Sequence, residues 1–181
     1  MKLIRLKLLF TFLFLALPVP VSLAASFDIN HHDDITRFTY ATYSGQRVIA
    51  DGGMLYIEKR ETHENVFHLG INKVAENIRF GVRGVYASPG ENDVLTIAGA
   101  LKIRFFPAKD LRFDIGAYYA PEFTSMMDAS GYTELGFRLS FNITSPLDLY
   151  LGYRNIKIKL SDAQSKVEID DDLHLGLQFY F

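Results

Sequence analysis

The chain has 181 residues, 49% of them hydrophobic, with 15 Phe, 10 Tyr, no Trp and no Cys. Nineteen basic residues against 21 acidic ones give a net charge of −2, which argues against nucleic acid as a partner. Without cysteine there is no disulfide framework and no lipoprotein anchor, so the fold must rest on burial, hydrogen bonding or a membrane.

Residues 1–24 read as a signal peptide. Lys2, Arg5 and Lys7 precede an apolar run from Leu8 to about Ala16, which Pro18 and Pro20 break. Ser22-Leu23-Ala24 supplies small residues for cleavage after Ala24, with Ala25 as the alternative. The run is shorter than the roughly 20 residues a spanning helix needs. The expected mature chain, 25–181, is one domain by length. It carries 16 basic and 21 acidic residues once Lys2, Arg5 and Lys7 are removed.

The first strand candidates are weak. Phe27 and Ile29 alternate with Asp28 and Asn30, and the polar His31-His32-Asp33-Asp34 follows as a turn. Residues 35–43 alternate poorly, Gly45 to Val48 reads as a turn, and Gly52-Gly53 marks a bulge or close packing in 50–59. From 64 onward the period-two pattern sharpens through 64–72, 77–87, 93–106, 111–120, 131–143 and 147–154. Ile156, Ile158 and Leu160 then change phase, which a bulge near Asn155 would explain. In the last stretch Leu173, Leu175, Leu177, Phe179 and Phe181 alternate with His174, Gly176, Gln178 and Tyr180.

The faces decide between a soluble sandwich and a membrane barrel. The polar face is also the small face, with Gly81, Ala98, Ala100, Gly116, Gly136, Ser140, Gly152 and Gly176, which suits a narrow concave interior. Large Leu, Ile and Phe then face lipid. A nine-residue strand such as 173–181 is roughly 30 Å long, or roughly 23 Å of membrane when tilted by about 40°. Phe105, Phe113, Phe141, Phe179 and Phe181 cluster at one end, and Tyr86, Tyr119, Tyr132 and Tyr153 at the other, as two aromatic girdles. Connectors at 73–76, 107–110 and 144–146 are short. Those at 60–63, 88–92, 121–130 and 161–167 include two long ones, as in barrels with short periplasmic turns and longer outer loops. The expected fold is all-β, an antiparallel up-and-down transmembrane barrel of ten strands, with eight as the alternative.

The inward face collects Arg79, Arg83, Lys102, Arg104, Arg112, Arg138 and Arg154 with Asp114, Glu134, Asp148 and His174. One reading is a set of ion pairs filling a narrow lumen; the other is an anion-preferring pore. His31, His32, Asp33 and Asp34 offer a His–carboxylate pair for catalysis at the outer rim, although turn composition explains them equally well. Asp170-Asp171-Asp172 is either a solvated run or a divalent-cation contact. No cofactor or metal is expected.

Gly84-Val85-Tyr86 with Ser88-Pro89, Gly116-Ala117-Tyr118-Tyr119-Ala120-Pro121, Gly136-x-Arg138, Gly152-Tyr153-Arg154 and Leu175-Gly176-Leu177-Gln178-Phe179-Tyr180-Phe181 follow one another in order over roughly 84–181. In this the chain resembles the YfaZ family of bacterial outer-membrane proteins. The resemblance implies an outer-membrane barrel that is porin-like by description, and it supplies no catalytic residues. The expectation is a monomeric, non-enzymatic barrel in the bacterial outer membrane, porin-like or structural. Lipid and lipopolysaccharide surround it, and the barrel-assembly machinery reads Phe179 and Phe181. The alternatives are a rim enzyme acting on lipid or peptide, and an adhesive protein acting through its outer loops.

Overall fold

The computed structural model describes residues 24–45, 47–58, 63–90, 92–161 and 166–181. The expected signal peptide, apart from Ala24, and parts of the 60–63, 88–92 and 161–167 loops lie outside these residues. Eleven strands form: β1 (Ala25–His32), β2 (Ile35–Ser44), β3 (Val48–Glu58), β4 (His63–Ala75), β5 (Ile78–Ala87), β6 (Val94–Ala108), β7 (Leu111–Ala120), β8 (Ser125–Met127), β9 (Ala129–Thr144), β10 (Leu147–Leu160) and β11 (Lys166–Tyr180). Ten of them close a ring of antiparallel neighbours, because β1 pairs with β11 and β5 with β6. The short β8 pairs with the outer end of β6 and follows a one-turn 3-10 helix at Glu122–Thr124.

Closure satisfies the backbone that lipid cannot. Ser26 lies opposite Tyr180 and His31 opposite Leu175. The Ala25 and Phe181 amides each donate to the other's carbonyl, at 2.8 and 3.0 Å. The tight turns at Glu76 and Gly45 lie at the end that holds Ala25 and Phe181, here the periplasmic end; Asp33 turns the β1–β2 hairpin at the outer end. All three have positive φ.

The lipid-facing side is the expected one. Leu69, Ile71, Val82, Leu101, Leu139, Leu151, Leu173 and Leu175 are all exposed. Phe105–Phe113 and Tyr40–Phe181 ring pairs, both 6.4 Å apart, lie at the periplasmic end. Phe137–Tyr153 stacks at 5.1 Å toward the outer end. Tyr132, expected in the outer girdle, instead points inward and is 2% exposed. Its even position shares the face of Glu134 and Arg138, not that of Leu135.

The interior has two layers. Toward the outer end Leu55, Ile57, Val66, Val85, Val94, Ile156, Ile158 and Ile169 form one apolar cluster. The bulge expected near Asn155 is absent from β10. Arg154, Ile156, Ile158 and Leu160 are all buried along the same even-numbered face. The register shift falls where Ile156 pairs with Asp170 and Lys157 with Glu168, which leaves Ile169 as the extra residue on β11. The apolar side changes from outside to inside while the strand alternation continues. Lys157 pairs with Glu168 on the outside at 3.0 Å. This is the pattern of a strand that has left lipid for water: charges outside, apolar residues inside.

Small residues make room inside. A Cβ at Gly176 would lie 2.7 Å from the Ile29 carbonyl oxygen and would enter the Tyr150 ring. Gly176→Val is therefore expected to lower the folded yield several-fold, read as the compact, heat-modifiable band in gel electrophoresis. Normal yield would contradict this packing.

Candidate functional site

Below the apolar layer the interior is a ladder of ion pairs in three tiers. In the first tier, next to the apolar layer, Glu134 accepts from Arg37 at 3.0 Å, from Arg83 at 3.1 Å and from the Tyr132 hydroxyl at 2.7 Å. Arg83 also donates to Asp51 at 3.0 Å and stacks over Tyr118, 3.8 Å from its centroid. Asp51 further accepts from Asn72 at 2.8 Å and faces His68 at 3.8 Å. Beside it Arg154 pairs with Asp170 and donates to Asn30 at 3.2 Å.

In the second tier Arg138 donates to Asp28 at 2.6 Å and to Gln178 at 2.7 Å, with its guanidinium 3.4 Å above the Tyr150 ring. The Tyr150 hydroxyl donates to the other Asp28 oxygen at 2.6 Å. At the periplasmic mouth Arg104 donates to Asp114 at 2.6 Å, and Arg112 bridges Asp114 at 3.0 Å and Asp148 at 2.9 Å. The six carboxylates Asp28, Asp51, Asp114, Glu134, Asp148 and Asp170 thus engage the six arginines 37, 83, 104, 112, 138 and 154. Arg79 and Lys102 are left without a carboxylate at ion-pair distance among the described residues. A cavity of about 200 Å³ runs through these tiers, and Tyr118 is the only member of the apolar cluster that lines it.

The structure brings the sequence-chosen lumen residues to one interior and adds Asp28, Arg37, Asp51, His68 and Asp170 to them. Asp28 alternates visibly with Phe27 and Ile29, so its inward face was readable. Asp51 sits beside Gly52-Gly53, where bulk no longer marks the face. The His31–Asp34 group does not converge. His31 is exposed and bonds Thr36 at 2.9 Å, while His32 turns inward to Asp170 at 3.2 Å. Asp33 and Asp34 occupy the hairpin turn. The His32 carboxylate partner therefore comes from β11, 138 positions away in sequence. The Asp170–Asp172 run is split as well: Asp170 is buried, while Asp171 and Asp172 are exposed. The β11 bulge places Ile169 and Asp170 both inside. His174 faces the interior, 7% exposed, with its ring edge-on to Tyr150. No metal-binding group of acidic, His or Cys side chains occurs among the described residues.

A closed ring of strands with a lipid-facing apolar belt defines a small barrel protein of the bacterial outer membrane. Among solved structures the fold is similar to that of the outer-membrane protease OmpT from Escherichia coli, with TM-score 0.54 and 8% identity over 88% of this chain and 93% of that one. The NanC porin matches with TM-score 0.46 and 11% identity, over 87% of this chain and 99% of that one. The outer membrane channel DcaP of Acinetobacter baumannii gives TM-score 0.42 and 13% identity over 85% of this chain; the chain spans about half (54%) of DcaP. No curated protein matches. The chain belongs to the YfaZ precursor family, whose family model matches residues 2–181.

Proposed function

We propose that this protein is a structural, non-conducting barrel whose interior is sealed toward the cell exterior. The observation that carries this reading is the apolar layer: Val85, Val94 and Ile158 have 0% exposure, Ile57 1% and Leu55 2%. Water has no route past side chains packed to that degree, and a dewetted apolar constriction is a barrier to ions. The paired arginines below it support the same reading, because a guanidinium held by a carboxylate, and by two at Arg83 and Arg112, is not available to pass solute anions. Proteoliposomes carrying the protein are expected to swell in small sugars no faster than empty vesicles. Swelling at porin-like rates would overturn the proposal.

The placement of the two histidines supports a non-enzymatic role: exposed His31 bonds Thr36 and has no carboxylate at ion-pair distance among the described residues, while His32 is turned inward onto Asp170, which Arg154 also holds, away from a substrate at the rim. Replacing both with Ala is expected to leave lipid A and surface-peptide profiles unchanged; a lost modification would revive the rim enzyme. The same reading takes the barrel as a monomer that meets lipid and lipopolysaccharide directly. Its C-terminal strand, with Phe179 and Phe181 39% and 69% exposed, would serve as the signal for the assembly machinery.

A further inference from the structure

We propose that Arg79 and Lys102 form a binding site for one small, doubly charged oxyanion near the periplasmic mouth of the barrel. Among the described residues the interior carboxylates and the other interior arginines account for one another, and these two cations are what remains. They are direct cross-strand partners in the β5–β6 register. Both line the cavity of about 200 Å³. Like charges directly opposite on neighbouring strands repel, and the repulsion is larger in a partly desolvated wall than in water. An anion with two charges bound between them balances the pair.

The surroundings fit such a ligand. A guanidinium fork and an ammonium together match a phosphate or a carboxylate pair. The Tyr118 hydroxyl is buried, makes no hydrogen bond among the described residues and belongs to a residue lining the same cavity. It adds a neutral donor. Lys102 Nζ lies 5.3 Å from the Tyr118 ring centroid. Gly116, opposite Lys102 in the register, leaves space for the lysine stem: a Cβ there would lie 3.3 Å from Lys102 Cγ. The cavity of about 200 Å³ has room for inorganic phosphate or a short dicarboxylate.

Arg79 is the second residue of β5, directly after the Glu76-Asn77 turn, so the site is reached from the periplasm. That one-sided access rests on the sealed outer half, and the swelling assay tests the seal separately from the site. Calorimetric titration of the folded, detergent-solubilised full barrel with inorganic phosphate, and in parallel with succinate, tests the site itself. Saturable one-to-one binding of either anion is expected, weakened at least tenfold by R79Q or K102Q and lost in the double variant. Phosphate-preferring and succinate-preferring results both support the site and separate its two ligand sources. The bound anion is also expected to raise the unfolding midpoint of the wild type and not of the double variant. No saturable heat with either anion, or binding untouched by both substitutions in folded protein, would overturn the proposal.

Discussion

Replacing Glu134 with alanine is expected to destabilise the barrel by about 3–5 kcal/mol, because it strips the shared partner from two buried arginines. The Arg37 and Arg83 side chains are 12% and 3% exposed, and both donate to this one carboxylate. Arg83 keeps Asp51, but Arg37 loses its only ion-pair partner among the described residues. One guanidinium is then left without a counter-charge at ion-pair distance, and the other with one carboxylate in place of two. Tyr132 loses its acceptor as well. Glu134→Gln keeps the shape and some hydrogen bonding, so its cost is expected to fall below that of Ala. The double variant Arg37→Met, Glu134→Gln should recover part of the loss, since it removes the stranded charge along with its partner. Urea unfolding in lipid vesicles checks this through the shift of the midpoint at constant slope. A cost under about 1 kcal/mol, the range of exposed ion pairs, would mean that the network is solvated and the interior is not as described.

The second large effect concerns two apolar residues on one strand. Ile158→Ala is expected to cost about 2–5 kcal/mol, as a core truncation that leaves a cavity. Leu151→Ala is expected to cost markedly less. Leu151 is 47% exposed on the lipid side, where acyl chains fill the space the side chain leaves, whereas Ile158 is fully buried in the outer cluster. The contrast follows from the change in apolar face along β10. Up to Tyr153 the strand follows membrane logic, and beyond Arg154 it follows that of a water-soluble barrel. Equal costs, again from urea midpoints in vesicles, would contradict that boundary.

Most of the ring was readable because lipid imposes a strict alternation on the strands it touches. From Leu69 to Leu151 the strand leucines and isoleucines fall on one face, and the structure keeps them there, while Val85 and Val94 near the outer end point inside. The readable pattern fails where the environment changes. Ile156, Ile158 and Leu160 suggest a bulge near Asn155 because the sequence shows apolar phase, and phase depends on what lies outside. Tyr132 was assigned by its height along the barrel when its parity already set it among the inward residues. The ion-pair ladder was legible as a list of inward charges but not as pairs. Asp51 reaches Arg83 across Gly70 of β4, which lies opposite both and has no side chain to separate them, and Asp28 reaches Arg138 only because the ring closes β1 against β11. The His32–Asp170 contact was hidden for the same reason, with the β11 bulge added. With the fuller set of carboxylates, the positive excess shrinks from a whole-lumen preference to two adjacent side chains, Arg79 and Lys102.

A barrel closed by its own side chains passes no ions, and planar-bilayer recording of the purified wild-type protein reads this without any substitution. A silent bilayer is expected at all voltages that leave the membrane intact, with insertion verified by protease protection or antibody labelling. Discrete, reproducible conductance steps from the wild-type barrel would contradict it.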